Sequence, residues 1–147
     1  MKGQDLMDVS DVRDFFRGDK YLMLTGVEIV EAGEGRAVCA IDISPEKHFN
    51  KGGVVQGGVT YTLADSAFAV ASNCGHLLRD ETDRFITVSQ SANINYFAPP
   101  KGKRLICTAE EMTRGRVSSV YEMKVEDELG TKVALMIGNG YTIHLGR

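Results

Sequence analysis

Gly57-Gly58-Val59-Thr60-Tyr61-Thr62-Leu63-Ala64-Asp65-Ser66-Ala67-Phe68-Ala69-Val70-Ala71-Ser72 is the stretch whose reading decides the fold of this chain. Small and apolar residues recur on every side of it, and its alanine content and length favour a helix over a strand. A helix apolar all round is predicted to be buried nearly all round. The helix is expected from Gly57 to about Cys74, with Gly75 as its stop. One residue breaks the pattern. Asp65 is the only acid between Lys51 and Arg79, and no Lys or Arg accompanies it. A carboxylate taken out of water must be paired, hydrogen-bonded or protonated, so a lone one in this setting marks either a structural pair or a functional group.

Alternating runs flank the helix. Val27 to Glu31 and Arg36 to Ile43, joined by Gly33-Glu34-Gly35, read as an antiparallel hairpin. Pro45 ends that pattern, and a glycine-rich loop from His48 to Gln56 leads into the helix. After the polar loop Arg79 to Asp83 come four strand-like runs, roughly Phe85 to Phe97, Lys103 to Thr113, Val117 to Glu126 and Lys132 to Ile143. Their turns are marked by Pro99-Pro100-Lys101-Gly102, Arg114-Gly115-Arg116 and Glu128-Leu129-Gly130. Near the N-terminus, Ser10 reads as the cap of a short helix ended by Gly18, and Lys20 to Thr25 as a further helical turn. The order is two strands, one long helix, then four strands. A single open sheet buries such a helix only by curling round it, which predicts an α+β fold with about six antiparallel strands. Helix surface left over, and the sheet edge, are expected to be covered by a second copy of the chain.

Size and composition bound the rest. The 147 residues suit one domain over 1–147, with a short helical segment in 1–20. Net charge is −3, from 17 basic and 20 acidic residues, so no global field draws nucleic acid or a membrane. Cys39, Cys74 and Cys107 lie far apart and are odd in number, which fits buried thiols in a reducing cytoplasm. His48, His76 and His144 have no metal-ligand spacing and no nucleophile elbow beside them, so neither a zinc site nor a His triad is expected. Met1 to Asp5 show no apolar core of a signal peptide, and no run approaches a membrane span.

The pattern Asn50-x-x-Gly53-x-x-Gln56-Gly57-Gly58, followed by Asp65, resembles the signature of the hotdog-fold thioesterases, most closely the phenylacetate-degradation (PaaI-like) group. A second block, Val88-Ser89-Gln90-Ser91-Ala92-Asn93-Ile94-Asn95-Tyr96-Phe97-Ala98-Pro99-Pro100, is similar to that family's strand after the helix. The resemblance implies a hotdog fold, hydrolysis of acyl-coenzyme A thioesters, and an active site between two subunits of a homodimer, with two dimers forming a homotetramer. It implies no cofactor, since coenzyme A belongs to the substrate. It makes Asp65 the nucleophile or the base that activates water, Ser89 a group that orients the water or the acid, and Asn50 a loop residue near the thioester. Gly58, Ser91 and Tyr96, the Arg114-Gly115-Arg116-Val117-Ser118 hairpin and His144 fall at positions that contact substrate or nucleotide in the family.

Elementary chemistry agrees at the helix start. Free N–H groups and the macrodipole at Gly57 and Gly58 polarise a carbonyl placed there and stabilise the oxyanion formed on attack. This chain departs from the family at Gln56, where many members carry His. An amide donates a hydrogen bond to a carbonyl but carries no proton at neutral pH. A non-catalytic acyl-CoA binder is therefore the alternative reading. A hydratase would need a catalytic His, and neither the loop nor the first helical turns supply one at a matching position; a DNA-binding sensor would need more than the segment before the first strand. Lys101, Lys103, Arg104, Arg114 and Arg116 are the basic residues available to meet phosphates.

Overall fold

The protein was described from a computed structural model covering residues 6–146, so the expectation drawn for Met1 to Asp5 lies outside the described residues. Two short helices, α1 (Val9–Phe16) and α2 (Lys20–Thr25), precede the hairpin β1 (Glu28–Gly33) and β2 (Arg36–Asp42). A single turn, α3 (Pro45–His48), and a loop lead to the long helix α4 (Gly57–Leu78). Four strands follow, β3 (Phe85–Tyr96), β4 (Arg104–Arg114), β5 (Ser118–Asp127) and β6 (Lys132–His144). All six strands form one sheet in the order β1-β2-β4-β5-β6-β3, and every pairing is antiparallel. α4 touches all six strands, which is possible only because the sheet curls round it. This is the hotdog architecture that the element order implies.

The packing explains the composition of α4. Ala64, Ala67 and Ala71 are fully buried and let the helix lie close to the sheet, while Leu63, Phe68 and Val70 fill the space beside them. The Phe68 ring meets Tyr121 edge-on at 5.2 Å between centroids and lies against Gly138 and Gly140 of β6. A Cβ on Gly140 would sit 2.7 Å from the Ser119 hydroxyl and 3.1 Å from both the Phe68 ring and the Thr87 methyl, so the helix and the two neighbouring strands together leave room only for glycine. Burying a phenylalanine of this kind stabilises the fold by about 1.5–3 kcal/mol. Cys39, Cys74 and Cys107 join the same core, and burial pushes the Cys39 and Cys74 thiols up to about 12, so they stay protonated and inert.

Three local expectations are corrected. Gly75 does not end α4, which continues to Leu78 and is capped at Arg79. Glycine stands there because the Glu34 side chain, held by Arg79, passes over it, and a Cβ would lie 2.7 Å from the Glu34 carboxylate. Asp8, not Ser10, caps α1; its carboxylate accepts the Ser10 N–H at 2.9 Å and the Ser10 hydroxyl at 2.7 Å. α4 is also not buried all round. Gly58, Tyr61 and Asp65 are exposed along one side, because the curled sheet covers the helix over only part of its circumference.

The far end of the sheet is held by a buried carboxylate. Asp127 accepts the N–H groups of Lys101 and Gly102 on one oxygen and of Leu129 and Thr131 on the other, at 2.8–3.0 Å. Burial alone would raise this acid, but the N–H groups of Gly102, Thr131 and Lys101 outweigh it and hold the carboxyl far below the usual range. A carboxyl depressed in the folded state adds stability that is complete at neutral pH and is lost as the pH falls below about 5. Asp127→Asn is therefore expected to lower the thermal midpoint at neutral pH and to flatten the acid side of the stability curve. Thermal melts of both proteins across the acid range check this, and equal loss in both on acidification would count against it.

Candidate active site

The loop before α4 is shaped by Asn50. Its side-chain oxygen accepts the N–H of Gly52 at 2.9 Å and of Val54 at 3.3 Å, and its backbone N–H donates to the Val54 carbonyl. Gly53, at φ +79°, supplies the left-handed residue this turn needs. The Gln56 N–H donates to the His48 carbonyl at 2.8 Å, fixing the entry to the helix. No side chain caps α4, and the N–H groups of Gly57 and Gly58 have no partner among the described residues. Gly57 lies under the ring of Tyr96, whose hydroxyl donates to the Gly57 carbonyl at 3.0 Å. A Cβ at Gly57 would meet that ring at 3.2 Å, whereas the space beside Gly58 is open. Burial, then Tyr61, raises the Tyr96 hydroxyl, so it stays a donor.

Asp65 lies two turns further along the same helix. It lines a cleft of about 300 Å³ between α1, α4 and β3, with Phe15, Phe16, Phe68 and Phe85 among the walls and Asp19 and Ser89 beside it. No hydrogen bond from the described residues stabilises its charge, and its side chain reaches solvent along the open side of α4. Desolvation against the apolar walls, and then the charge of Asp19, raise its carboxyl above the usual value. Ser89 pairs with Gly140, the glycine beneath Phe68, so it faces the helix. The ladder slips between Ser89 and Ser91, placing Gln90 in a β-bulge. Beyond it Ser91 pairs with Asn139, on the outer side of the sheet, while Ala92 turns inward against Gly138.

Apart from Ser91, on the outer side of the sheet, the site residues expected from the sequence thus fall into three groups. Asp65 and Ser89 share the cleft. Asn50, Gln56, Gly57, Gly58 and Tyr96 surround the helix start, about 12 Å along the axis from Asp65 at the usual rise per residue. Arg114, Gly115, Arg116, Val117 and Ser118 border a separate depression of about 210 Å³ with His76 and Glu81, and His144 rests against Phe85 at 5.0 Å nearby. Of the basic residues, Arg104 is taken up by Asp42 and Glu28, and Arg114 by Glu111 and the Tyr121 hydroxyl. Arg116, Lys101 and Lys103 are exposed, and none has an ion pair among the described residues. No group of three or more His, Cys, Asp or Glu among the described residues is placed to hold a metal ion.

Sequence reasoning missed a polar network at the end of α4. His76 Nδ1 lies 3.0 Å from Glu81 Oε1, its Nε2 lies 3.0 Å from the Thr87 hydroxyl, and that hydroxyl is 2.9 Å from the Thr142 hydroxyl. Asn73, one turn earlier, pairs with the Thr87 backbone. Phe15, Phe16 and Asp19 also went unnoticed as part of the cleft, since nothing local ties the N-terminal helices to Asp65.

Residues 52–134, more than half of the chain, match the family model described as the thioesterase superfamily. The chain belongs to the thioesterase superfamily. Among curated relatives of this superfamily member is a putative esterase of Archaeoglobus fulgidus, 31% identical over 92% of this chain and 84% of the relative. Another is the acyl-coenzyme A thioesterase PaaI of Escherichia coli, 26% identical over 87% of this chain and 86% of the relative. The solved structure of the E. coli PaaI protein superposes with a TM-score of 0.77 over 92% of both chains at 23% identity, which supports the fold. The protein is a PaaI-like hotdog member of this superfamily, and no helix among its described residues is long and apolar enough to cross a membrane.

The electrostatics of the cleft can be tested without substrate. Asp19→Asn should lower the Asp65 carboxyl toward its ordinary value, because the larger desolvation effect remains while the like charge goes. Carbon NMR titration of the Asp65 carboxyl in both proteins measures the shift, and an unmoved or raised titration in the variant is the contrary result.

Proposed function

We propose that the protein hydrolyses acyl-coenzyme A thioesters, with Asp65 as the reacting carboxylate and the Gly57 N–H as the donor that polarises the thioester carbonyl. The observation that carries the reading is Asp65 itself: an acid without a hydrogen-bond partner among the described residues, lining an apolar cleft, its carboxyl raised by the walls and by Asp19. A carboxylate left unsatisfied in this way keeps its lone pairs for chemistry. Relatives named acyl-coenzyme A thioesterases support the substrate class.

Two routes use the geometry. In one, Asp65 takes a proton from water while the water oxygen bonds to the thioester carbon; the C–S bond then breaks and the thiolate leaves protonated as coenzyme A. In the other, an Asp65 oxygen bonds to the carbon directly, coenzyme A leaves, and water hydrolyses the resulting anhydride. Both pass through an oxyanion, for which the Gly57 N–H and the macrodipole of α4 are suited. Gln56, whose side chain caps nothing, is available as a second donor to the same oxygen. Ser89 is suited to orient the water or the carboxylate. Label in Asp65 after a single turnover in oxygen-labelled water identifies the second route with water attacking the Asp65 carbonyl of the anhydride, since the first route labels only the product acid.

A carbonyl bonded to the Gly57 N–H lies too far from the Asp65 of the same helix, about 12 Å along its axis. This spacing supports a homodimer in which one copy supplies the helix start and its partner the acid. The exposed side of α4 at Tyr61 and Asp65, and the edge position of β3, are where the second copy would dock. Ile86, Tyr141 and Ile143 are exposed near the β3–β6 end of the sheet, and they support association of two dimers into a tetramer. Exposed Arg116 is suited to a coenzyme A phosphate at the rim.

Thiol release across a panel of acyl-CoA substrates tests the activity. Asp65→Asn is expected to remain folded and to lose about 100- to 10,000-fold in kcat. Near-normal hydrolysis by that variant overturns the role of Asp65, and saturable binding of acyl-CoA with no thiol release by the unaltered protein supports the non-catalytic binder instead. Light scattering should give the mass of two or four chains; a monomer that hydrolyses acyl-CoA at the full rate is incompatible with a shared site.

A further inference from the structure

Thr87 of β3 is held at three points by α4. The antiparallel ladder with β6 leaves its backbone free, because the Thr142 N–H opposite turns toward β5 and donates to the Val117 carbonyl at 2.7 Å. The N–H and C=O of Thr87 therefore face the open edge of the sheet. Both are taken by one side chain: the Thr87 N–H donates to Asn73 Oδ1 at 2.9 Å, and Asn73 Nδ2 donates to the Thr87 carbonyl at 3.0 Å. Nδ2 also donates to the Ala69 carbonyl at 2.9 Å, so the amide has one orientation that satisfies every partner. His76, three residues on, meets the Thr87 hydroxyl. A helix side chain here does what a neighbouring strand does elsewhere.

We propose that Asn73 is a positioning residue for the reaction: by capping the edge of β3 at Thr87 it sets where Ser89 stands relative to Asp65. Thr87 and Ser89 are two residues apart on one face of β3, and Asp65 and Asn73 are two turns apart on α4, so the clamp ties the strand that carries the hydroxyl to the helix that carries the acid. The other end of β3 is tied by Tyr96 to Gly57. Between the two tethers lies the bulge at Gln90, where the ladder itself fixes the strand least. Asn73 also borders the cleft, so a shift of β3 there changes the Asp65–Ser89 geometry directly. The clamp further limits strand addition by a second copy to the edge beyond Thr87.

The proposal rests on the thioesterase reading for its kinetic arm but not for its structural arm. Asn73→Ala and Asn73→Asp are compared with the unaltered protein by steady-state hydrolysis of acyl-CoA and by amide hydrogen exchange at Thr87. Asp keeps the acceptor for the Thr87 N–H and loses the donor to its carbonyl. In the unaltered protein the Thr87 amide should exchange slowly despite its edge position. Asn73→Ala should lose that protection and lose about 10- to 100-fold in kcat with KM nearly unchanged, the pattern of misplaced catalytic groups. Asn73→Asp should keep the protection and recover part of kcat. The idea is overturned by fast Thr87 exchange in the unaltered protein, by kcat of Asn73→Ala within about twofold of normal, or by failure of both variants to fold, which makes Asn73 a structural residue. A protein without any thioester hydrolysis but with the protection pattern intact removes the thioesterase reading and with it the catalytic meaning of the clamp, while the edge cap stands.

Discussion

α4 runs for 22 residues with one acid and no lysine or arginine in it, and the molecule is organised by the need to cover it. Hydrophobic burial rewards contact on every side of such a helix, but one six-stranded sheet reaches round only part of a cylinder about 10 Å across. The sheet answers by curling, with small residues where it comes nearest: Ala64, Ala67 and Ala71 on the helix, Gly138 and Gly140 on β6. Phe68 and Tyr121 then fill the widest part of the gap with their rings at right angles. α1 adds Phe16 and Val12 to the same core at the rim.

That incomplete enclosure has a consequence for chemistry. The strand that follows α4 in the chain, β3, is the last in the sheet order and so lies at the edge. The uncovered side of the helix and the unpaired edge therefore sit together, and Asp65 and Ser89 project into the cleft they leave. Exposed backbone at an edge is normally a hazard that invites other strands. Here its first part is closed by Asn73 and the polar network of His76, Glu81 and Thr142, so the opening is confined to the stretch beyond Thr87.

Features carried by local periodicity were legible in the sequence: the hairpin of β1 and β2, the start of α4 at Gly57, and the four later strands all lie within a residue or two of their expected limits. What escaped depends on contacts between distant parts of the chain. Gly75 resembles a helix stop until Glu34, far away in sequence, is seen lying over it. The bulge at Gln90 puts Ser89 and Ser91 on opposite faces, where strict alternation would put both on one, and no alternation pattern announces a single extra residue. His76 looked like an isolated histidine because its partner Thr87, and the Thr142 hydroxyl that Thr87 meets in turn, come from two strands that meet only in the folded sheet. Asp65 was legible as an anomaly, yet its exposure was not, since a helix apolar on all sides gives no hint of which side the sheet leaves open.

Two aspartates show how little residue type decides by itself. Asp127 is almost fully buried and accepts four backbone N–H groups, so its charge is satisfied and its proton affinity is driven down. All its lone pairs are committed, and such a carboxylate serves only to hold a turn. Asp65 is more open to solvent, yet its carboxyl is driven the other way, because the apolar walls desolvate it, Asp19 adds a like charge, and no donor among the described residues faces it. A base or nucleophile needs unshared lone pairs and enough proton affinity to use them. By that criterion Asp65 is the better suited of the two, and desolvation by the cleft walls, followed by the charge of Asp19, is what raises it. No donor among the described residues offsets that effect, and adding one would lower the carboxyl and occupy an oxygen that Asp65 now leaves open.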